Sequence, residues 1–288
     1  MIKTYTIQDF FEAPIKLDKF HINRLEEMPP LPKSIKSPHK HKFVEIFLLL
    51  NGSMEHNVDF KQFAIEKLNL FFISEGQYHF WFKTHSKSLS GYRLMFEESF
   101  IQNALIPHNF LFELVYLNNI YQNPLLSIST DMKKKLVQFF DLLHQEYSRD
   151  DFNAKALQAN LFLLLLEIQR SYNHINTTTS NTYHLTIYKN FNALVESHFS
   201  EIRSVSWYAN QLNISQVQLN RIVSKYSNTP IIQFIQNRRI LEAKRLLATT
   251  TRSIQEISMD AGFEDYSYFI RVFKKNEQTT PLEFRNKL

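Results

Sequence analysis

His39, His41 and Glu45 carry side chains that readily hold a divalent metal, and His79 follows further along the chain. Residues two and four apart on a β-strand share a face, so His39, His41 and Glu45 would point to one side of a sheet. Three protein ligands with an open coordination position suit iron or zinc, and with it an oxygenase or hydrolase. Individual histidines are more often hydrogen-bonded structural residues than ligands. A second constellation lies toward the other end: Gln216, Val217, Asn220 and Arg221, then Tyr266, Ser267, Ile270 and Arg271. Asn can pair with the major-groove edge of adenine, Arg with that of guanine, and an apolar side chain can meet a thymine methyl. These sets could read bases. The chain contains no cysteine, which excludes disulfides, thiolate metal sites and thiol nucleophiles.

Placing the histidines requires strands, and the residues up to about Leu126 supply them. Runs such as Val44–Leu50 and Leu68–Ile73 read as buried strands, punctuated by Asn51-Gly52 and Glu75-Gly76. Short strands at this spacing suit a sandwich or small barrel. From Asp131 the period changes. Leu136, Phe139, Phe140 and Leu143, then Leu157, Leu161, Leu164, Leu165 and Ile168, recur at helical intervals, predicting a helical hairpin broken near Ser148–Asn153. The run Leu161–Leu166 exceeds one core-facing stripe, so its helix is buried on two sides, under the barrel or against a second subunit. The second alternative is favoured, placing Leu157, Leu161, Leu164, Leu165 and Ile168 at a homodimer interface.

With 288 residues, 44% of them hydrophobic, the chain can bury two cores. No leader-like start and no apolar run of about 20 residues is present, so a cytoplasmic protein without membrane contact is expected. Residues 1–185 balance 19 basic against 19 acidic side chains, so the whole net charge of +5 lies in the remainder. A basic segment joined to a neutral body is suited to a polyanion. Between the two, the segment 173–184 is rich in Ser, Thr and Asn and reads as a linker.

Beyond the linker the chain repeats at an offset of about fifty residues. Leu219–Lys225 parallels Phe269–Lys275, Thr229-Pro230 parallels Thr280-Pro281, and Asn213-Ile214 parallels Gly262-Phe263. In each copy a short helix, a tight turn and a second amphipathic helix follow in order, which is the grammar of a helix-turn-helix. Gly262 and Asn213 occupy the turns, where a left-handed backbone is needed. Ser215 and Asp265 are the expected N-caps of the second helices. Ile231–Ala248 makes a long connecting helix, with Arg238, Arg239, Lys244 and Arg245 as its basic side. It would hold the two units for successive major-groove segments about 34 Å apart. Backbone N–H groups near Ser206 and Ser253, with Arg252 and Lys274, are the expected phosphate contacts.

The stretch Arg238–Leu247, followed by Ile254–Ile257, Ala261-Gly262-Phe263, Tyr266–Phe269, Arg271–Lys275 and Thr280-Pro281, resembles the DNA-binding domain of AraC/XylS-family transcription regulators. The resemblance covers about 100 residues. It implies sequence-specific binding to double-stranded promoter DNA, activation of nearby promoters through RNA polymerase, and no enzymatic activity. It places Val217, Asn220 and Arg221 of the first recognition helix in the groove, and Tyr266, Ser267, Ile270 and Arg271 of the second. Where that family commonly has Gly before each Thr-Pro element, this chain has Asn228 and Thr279 nearby.

His39-Lys40-His41, Glu45, Gly52, Gly76 and His79 resemble the two motifs of cupin barrels, a usual partner of that DNA-binding domain. Ser74 and Lys83 stand where the second motif has proline and asparagine, and a cation beside a metal opposes its binding. No bound metal or cofactor is therefore expected. His39, His41, Glu45, His79 and Trp81 are instead expected to line an effector pocket for a small molecule. The rival readings are a metal-dependent cupin enzyme and a regulator whose N-terminal domain only dimerises. The expected fold is α+β, with four parts: a cupin-like barrel over 1–126, a helical hairpin over 127–172, the linker 173–184, and an all-α pair of helix-turn-helix units joined by a long helix over 185–288.

Overall fold

The computed structural model describes residues 4–28, 37–84, 89–102, 106, 110–114, 116–117, 124–175, 182–201 and 203–287. The chain divides into two compact units, Ile2–Thr178 and Thr179–Leu288. It is α+β, with strands and a helical hairpin in the first unit and helices in the described residues of the second.

The strands of the first unit are β1 (Thr4–Tyr5), β2 (Phe20–Arg24), β3 (Lys40–His41), β4 (Val44–Asn51), β5 (Met54–Val58), β6 (Lys61–Ile65), β7 (Asn69–Ile73), β8 (His79–Thr84), β9 (Ser90–Phe96) and β10 (Leu125–Ser127). One antiparallel sheet has the order β10-β7-β4-β9-β2, a second the order β6-β5-β8, and β1 pairs in parallel with β3. A single antiparallel bridge between His39 and His79 joins the segment before β3 to the second sheet. Both faces of the larger sheet are covered, which is why β4 and β7 read as unbroken apolar runs. On one face Ile46, Leu48, Leu70, Phe72, Leu94 and Phe96 belong to the main core, and on the other Phe47, Leu49, Phe71 and Ile73 meet Met54, Val58 and Ile65 of the second sheet.

The short helices α1 (Glu98–Ile101) and α2 (Phe110–Glu113) precede the hairpin of α3 (Thr130–Ser148) and α4 (Ala154–Ile175). Ser129 caps α3 by accepting from the Met132 N–H. Leu157, Leu161, Leu164, Leu165 and Ile168 of α4 are fully buried in the same core as Ile46 and Leu94. The expected dimer interface is thus corrected at these five positions. Their apolar face packs under the sheet within one subunit and offers nothing to a second. The excess hydrophobicity of the run is carried outward by Leu163 and Leu166, which are exposed.

Helix α4 continues to Ile175, and α5 (Thr182–His198) begins at Thr182. The expected linker 173–184 is therefore helical at both described ends, and its middle, 176–181, lies outside the described residues. The second unit continues with α6 (Val205–Gln211), α7 (Gln216–Ser227), α8 (Ile231–Thr249), α9 (Ile254–Asp260), α10 (Tyr266–Glu277) and α11 (Pro281–Asn286). Phe191 and Val195 of α5, Tyr208 of α6, Leu219, Ile222 and Val223 of α7 and Phe234 of α8 are buried in the first helix-turn-helix half. Ile257, Ala261, Phe263, Phe269, Val272 and Phe273 form the core of the other half against Ile240, Ala243 and Leu247 of α8.

The basic side expected for α8 needs correction. Arg238, Lys244 and Arg245 are buried rather than solvent-facing, with Arg238 paired to Glu196 and Glu242, Lys244 to Glu277 and Arg245 to Glu242. A buried cation needs such partners; Arg238 and Lys244 tie α8 to Glu196 of α5 and Glu277 of α10, while Arg245 pairs with Glu242 within the helix.

Candidate nucleic-acid interface and buried polar cluster

Each helix-turn-helix turn is made by a left-handed residue: Asn213 at φ 53° and Gly262 at φ 85°. A second matched pair closes α7 and α10, with Asn228 at φ 56° and Gln278 at φ 59°. The repeat in sequence is therefore also a repeat in backbone conformation, with Gln278 rather than Thr279 as the left-handed residue before the second Thr-Pro element. Ser215 caps α7 through the Gln218 N–H at 3.1 Å, and Asp265 caps α10 through the Tyr268 N–H.

The two second helices present their polar faces outward. Gln216, Val217, Asn220 and Arg221 are exposed on α7, and Tyr266, Ser267 and Arg271 on α10. Val217 is 81% exposed, an apolar group with no core to join. Ile270 is half-buried and packs partly against the second core. Asn220 differs from expectation. Its Oδ1 accepts the Ile231 N–H at 3.2 Å, so it satisfies a donor at the start of α8. A bidentate contact with adenine needs both ends of the amide, and one is already engaged.

The expected phosphate contacts divide. Lys274 is exposed on α10. The first-turn cap of α6 is Ser204, which accepts the Trp207 N–H at 3.2 Å, and Ser206 lies inside the helix with its hydroxyl on that of Ser204. At α9 the N-terminus is already occupied. Ser253 and Glu256 form a capping box in which the Glu256 carboxylate accepts the Ser253 N–H at 2.8 Å. Arg252 pairs with Asp260. An acidic side chain on a helix start disfavours a phosphate there, which counts against Ser253 and Arg252 as phosphate contacts.

In the first unit, His39, His41, Glu45 and His79 are brought together and almost completely buried, joined by His56 and Arg93. Trp81 lies on β8, but its side chain falls outside the described residues. Arg93 Nε donates to Glu45 Oε1 at 2.5 Å, while His41 Nε2 stands 3.6 Å from Glu45 Oε2. His39 Nδ1 donates to the Ser37 carbonyl at 2.8 Å, and His56 Nε2 and His79 Nδ1 share a hydrogen at 2.9 Å. Among the described residues, His39 Nε2, both nitrogens of His41, His79 Nε2 and one terminal nitrogen of Arg93 have no hydrogen-bond partner. Buried polar atoms in this number call for a water or a ligand.

Sequence reasoning missed His56 on β5 and, beside it in the cluster, the counter-ion Arg93. The signal for Arg93 was an arginine inside the otherwise apolar run Gly91–Phe96 of a fully covered strand. Burial alone would raise the Glu45 carboxyl, but the Arg93 guanidinium and the nearby His41 outweigh it and hold the group at about 2. Ligand atoms of His41, Glu45 and His79 lie within 4.8 Å of one another, close enough for a divalent ion. The set nevertheless does not fit one. Its only anion is already neutralised by a guanidinium, whose charge opposes a second cation at that distance.

Burial lowers His56 to about 3, against an upward pull from Glu45. Burial, with His41 and His56 alongside, sets His79 well below its ordinary value. Both rings stay neutral in the fold, whereas in the unfolded chain they protonate near pH 6.5. Their stabilising effect is thus complete above pH 6.5 and is lost as pH falls toward the folded values. Urea unfolding of the N-terminal unit should show a lower midpoint at pH 5.5 than at pH 7.5, to an extent that His56→Gln reduces. An identical drop in the variant would contradict this assignment.

Comparison with known proteins agrees with the geometry of the second unit. Residues 208–287 match the family described as a helix-turn-helix domain. The chain is 27% identical over 281 residues to the HTH-type transcriptional activator RhaR of Mannheimia succiniciproducens, covering 96% of this chain and 93% of that protein. It is 23% identical over 286 residues to the activator RhaS of Salmonella schwarzengrund, covering 96% and 95%. Among solved structures, ToxT from Vibrio cholerae aligns over 94% of this chain and 99% of its own, at 16% identity and a TM-score of 0.43.

Proposed function

We propose that the chain is a transcription regulator of the AraC/XylS type, a sequence-specific DNA-binding activator rather than an enzyme, a reading supported by the helix-turn-helix match and the similarity to the activators RhaR and RhaS. The observation that carries this reading is the pair of exposed helices α7 and α10, each set behind a left-handed turn and each bearing an arginine at the equivalent position, Arg221 and Arg271. Gln216, Val217 and Arg221 would read one major-groove segment, and Tyr266, Ser267, Ile270 and Arg271 the next. Asn220 would add its amide N–H donor alone. Lys274, with backbone N–H groups at the start of α6 near Ser206, would hold phosphates.

The same reading makes the cluster of His39, His41, Glu45, His79 and Arg93 the floor of an effector site in a cupin-like barrel, and counts Trp81, two residues after His79 on β8, among its candidate contacts. Its support is the set of buried nitrogens that lack partners. A small molecule that binds one arrangement of the protein more tightly than another would then shift promoter binding. Contact with RNA polymerase, a homodimeric state and a cytoplasmic location belong to this proposal, with any dimer face on the exposed positions Leu142, Leu163 and Leu166.

The test is to recover duplexes bound by the full-length protein from genomic fragments and measure their affinity against salt. Binding that weakens linearly in log salt and prefers the recovered sequences supports the proposal. Equal affinity for scrambled duplexes rejects sequence-specific reading. Lys274→Ala should weaken binding to every sequence about equally and reduce the salt slope by about 1. A loss confined to particular base pairs would assign Lys274 to base reading instead.

A further inference from the structure

A connecting helix can fix the separation of two helix-turn-helix units, but rotation of one unit about their common axis must be resisted by something else. The structure supplies a contact where all three parts of the second unit meet. The segment after α5, Phe199 to Glu201, lies just before the first helix-turn-helix, and two arginines of α8 and the turn glycine of the second helix-turn-helix all close on it.

Arg239 donates from Nε to the Phe199 carbonyl at 2.8 Å and from a terminal nitrogen to the Glu201 carbonyl at 2.9 Å. One planar guanidinium thus spans two backbone acceptors, a geometry that a lysine cannot reproduce. Arg238 lies over the Phe199 ring, 3.8 Å from its centroid, while its Nε pairs with Glu196 of α5 at 2.8 Å. From the other side, Gly262 approaches so closely that a Cβ there would stand 2.7 Å from the Phe199 carbonyl oxygen and 2.9 Å from Ser200 Cα. Gly262 therefore meets two requirements. Its φ of 85° serves the turn of its own unit, and its missing side chain admits the backbone that leads into the other unit. The first requirement alone is met at Asn213 by a residue that has a side chain. The second explains why the other copy has glycine.

We infer that Arg239 and Gly262 are positioning residues: together with Phe199–Glu201 they form a clasp that sets the orientation of α10 relative to α7, and hence the spacing between the two DNA segments the protein accepts. The inference rests on the proposal that α7 and α10 both enter the major groove. Without the clasp, each unit would keep its own core, because neither residue contributes a side chain to the apolar cores, but the pair would tolerate a wider range of separations.

The test uses the full-length protein and duplexes selected by it from a random-sequence pool, rebuilt with one, two or three base pairs inserted between the two protected segments. Wild type should lose at least tenfold in affinity with a single inserted pair. Arg239→Lys should flatten this profile to within about threefold across the insertions while leaving affinity for a duplex carrying only one segment unchanged. Gly262→Ala should flatten it likewise, and the melting transition and helical circular dichroism of each variant report whether its units remain folded. A folded Arg239→Lys that keeps the steep profile, or that weakens one-segment and two-segment duplexes by the same factor, overturns the clasp. Should Gly262→Ala fail to fold, the Arg239→Lys profile decides alone. Failure of the wild type to bind any duplex in a salt-dependent way would reject the DNA reading itself, whereas binding with an unaltered profile in the variants rejects only the clasp.

Discussion

Arg93→Met should destabilise the N-terminal unit by about 3–5 kcal/mol, the range for removing one partner of a buried ion pair. Arg93 and Glu45 are each only 1% exposed, and no other cation stands as close to that carboxylate among the described residues. With the guanidinium gone, Glu45 must either remain an uncompensated buried charge or take up a proton at neutral pH, and both states are unfavourable. Domain stabilities are about 5–15 kcal/mol in total, so the loss would be a large share of the whole. Replacing both residues, Glu45→Gln with Arg93→Met, should recover much of it, because the penalty lies in the orphaned charge more than in the missing pair. The chain has two tryptophans, Trp81 in the first unit and Trp207 in the second. Urea unfolding followed by fluorescence in a Trp207→Phe background therefore reports the N-terminal unit. A single variant as stable as wild type, or a double variant no better than the single, would contradict the assignment of Arg93 as the internal counter-ion.

The second large effect concerns specificity. Arg221→Ala and Arg271→Ala should each relax base preference in one segment of the bound DNA and leave the other segment intact. A well-formed bidentate contact to guanine provides about 1–3 kcal/mol of discrimination, or roughly 5- to 150-fold between the right base and a wrong one. Arg221 and Arg271 are exposed at equivalent points of α7 and α10, so the losses should map to two separate places. Binding-site selection with each variant checks this. Uniform, sequence-blind weakening by both would place these arginines on phosphates.

These expectations rest on features that differ in how far local sequence could reveal them. The turns at Asn213 and Gly262 follow from backbone sterics, which act within a few residues, and the repeat made them visible twice. The faces of β4 followed from a period of two, but the convergence of His41 and Glu45 did not, because His41 lies on β3 and Glu45 on β4, with a bend at Lys42 and Phe43 between them. Nor could Arg93 be read from spacing, because it reaches Glu45 through strand pairing between β4 and β9, residues 48 apart in the chain. The same holds for Arg238, Lys244 and Arg245. A basic face on a helix reads as solvent-exposed unless the acidic partners on α5, α8 and α10 are known. The leucines of α4 were assigned to a dimer because hydrophobicity measures how much surface must be covered and carries no information about what covers it. Here the sheet of the same subunit does so. Asn220 looked like a base reader by type and exposure, and only the position of the Ile231 N–H revealed its other bond.

The pairing of α7 with α10 as two readers is most directly examined by methylation interference on a selected duplex bound to the full-length protein. Two clusters of interfering guanines about 10 base pairs apart are expected, the first abolished by Arg221→Ala alone and the second by Arg271→Ala alone. A single cluster, or two clusters lost together in either variant, would contradict the account.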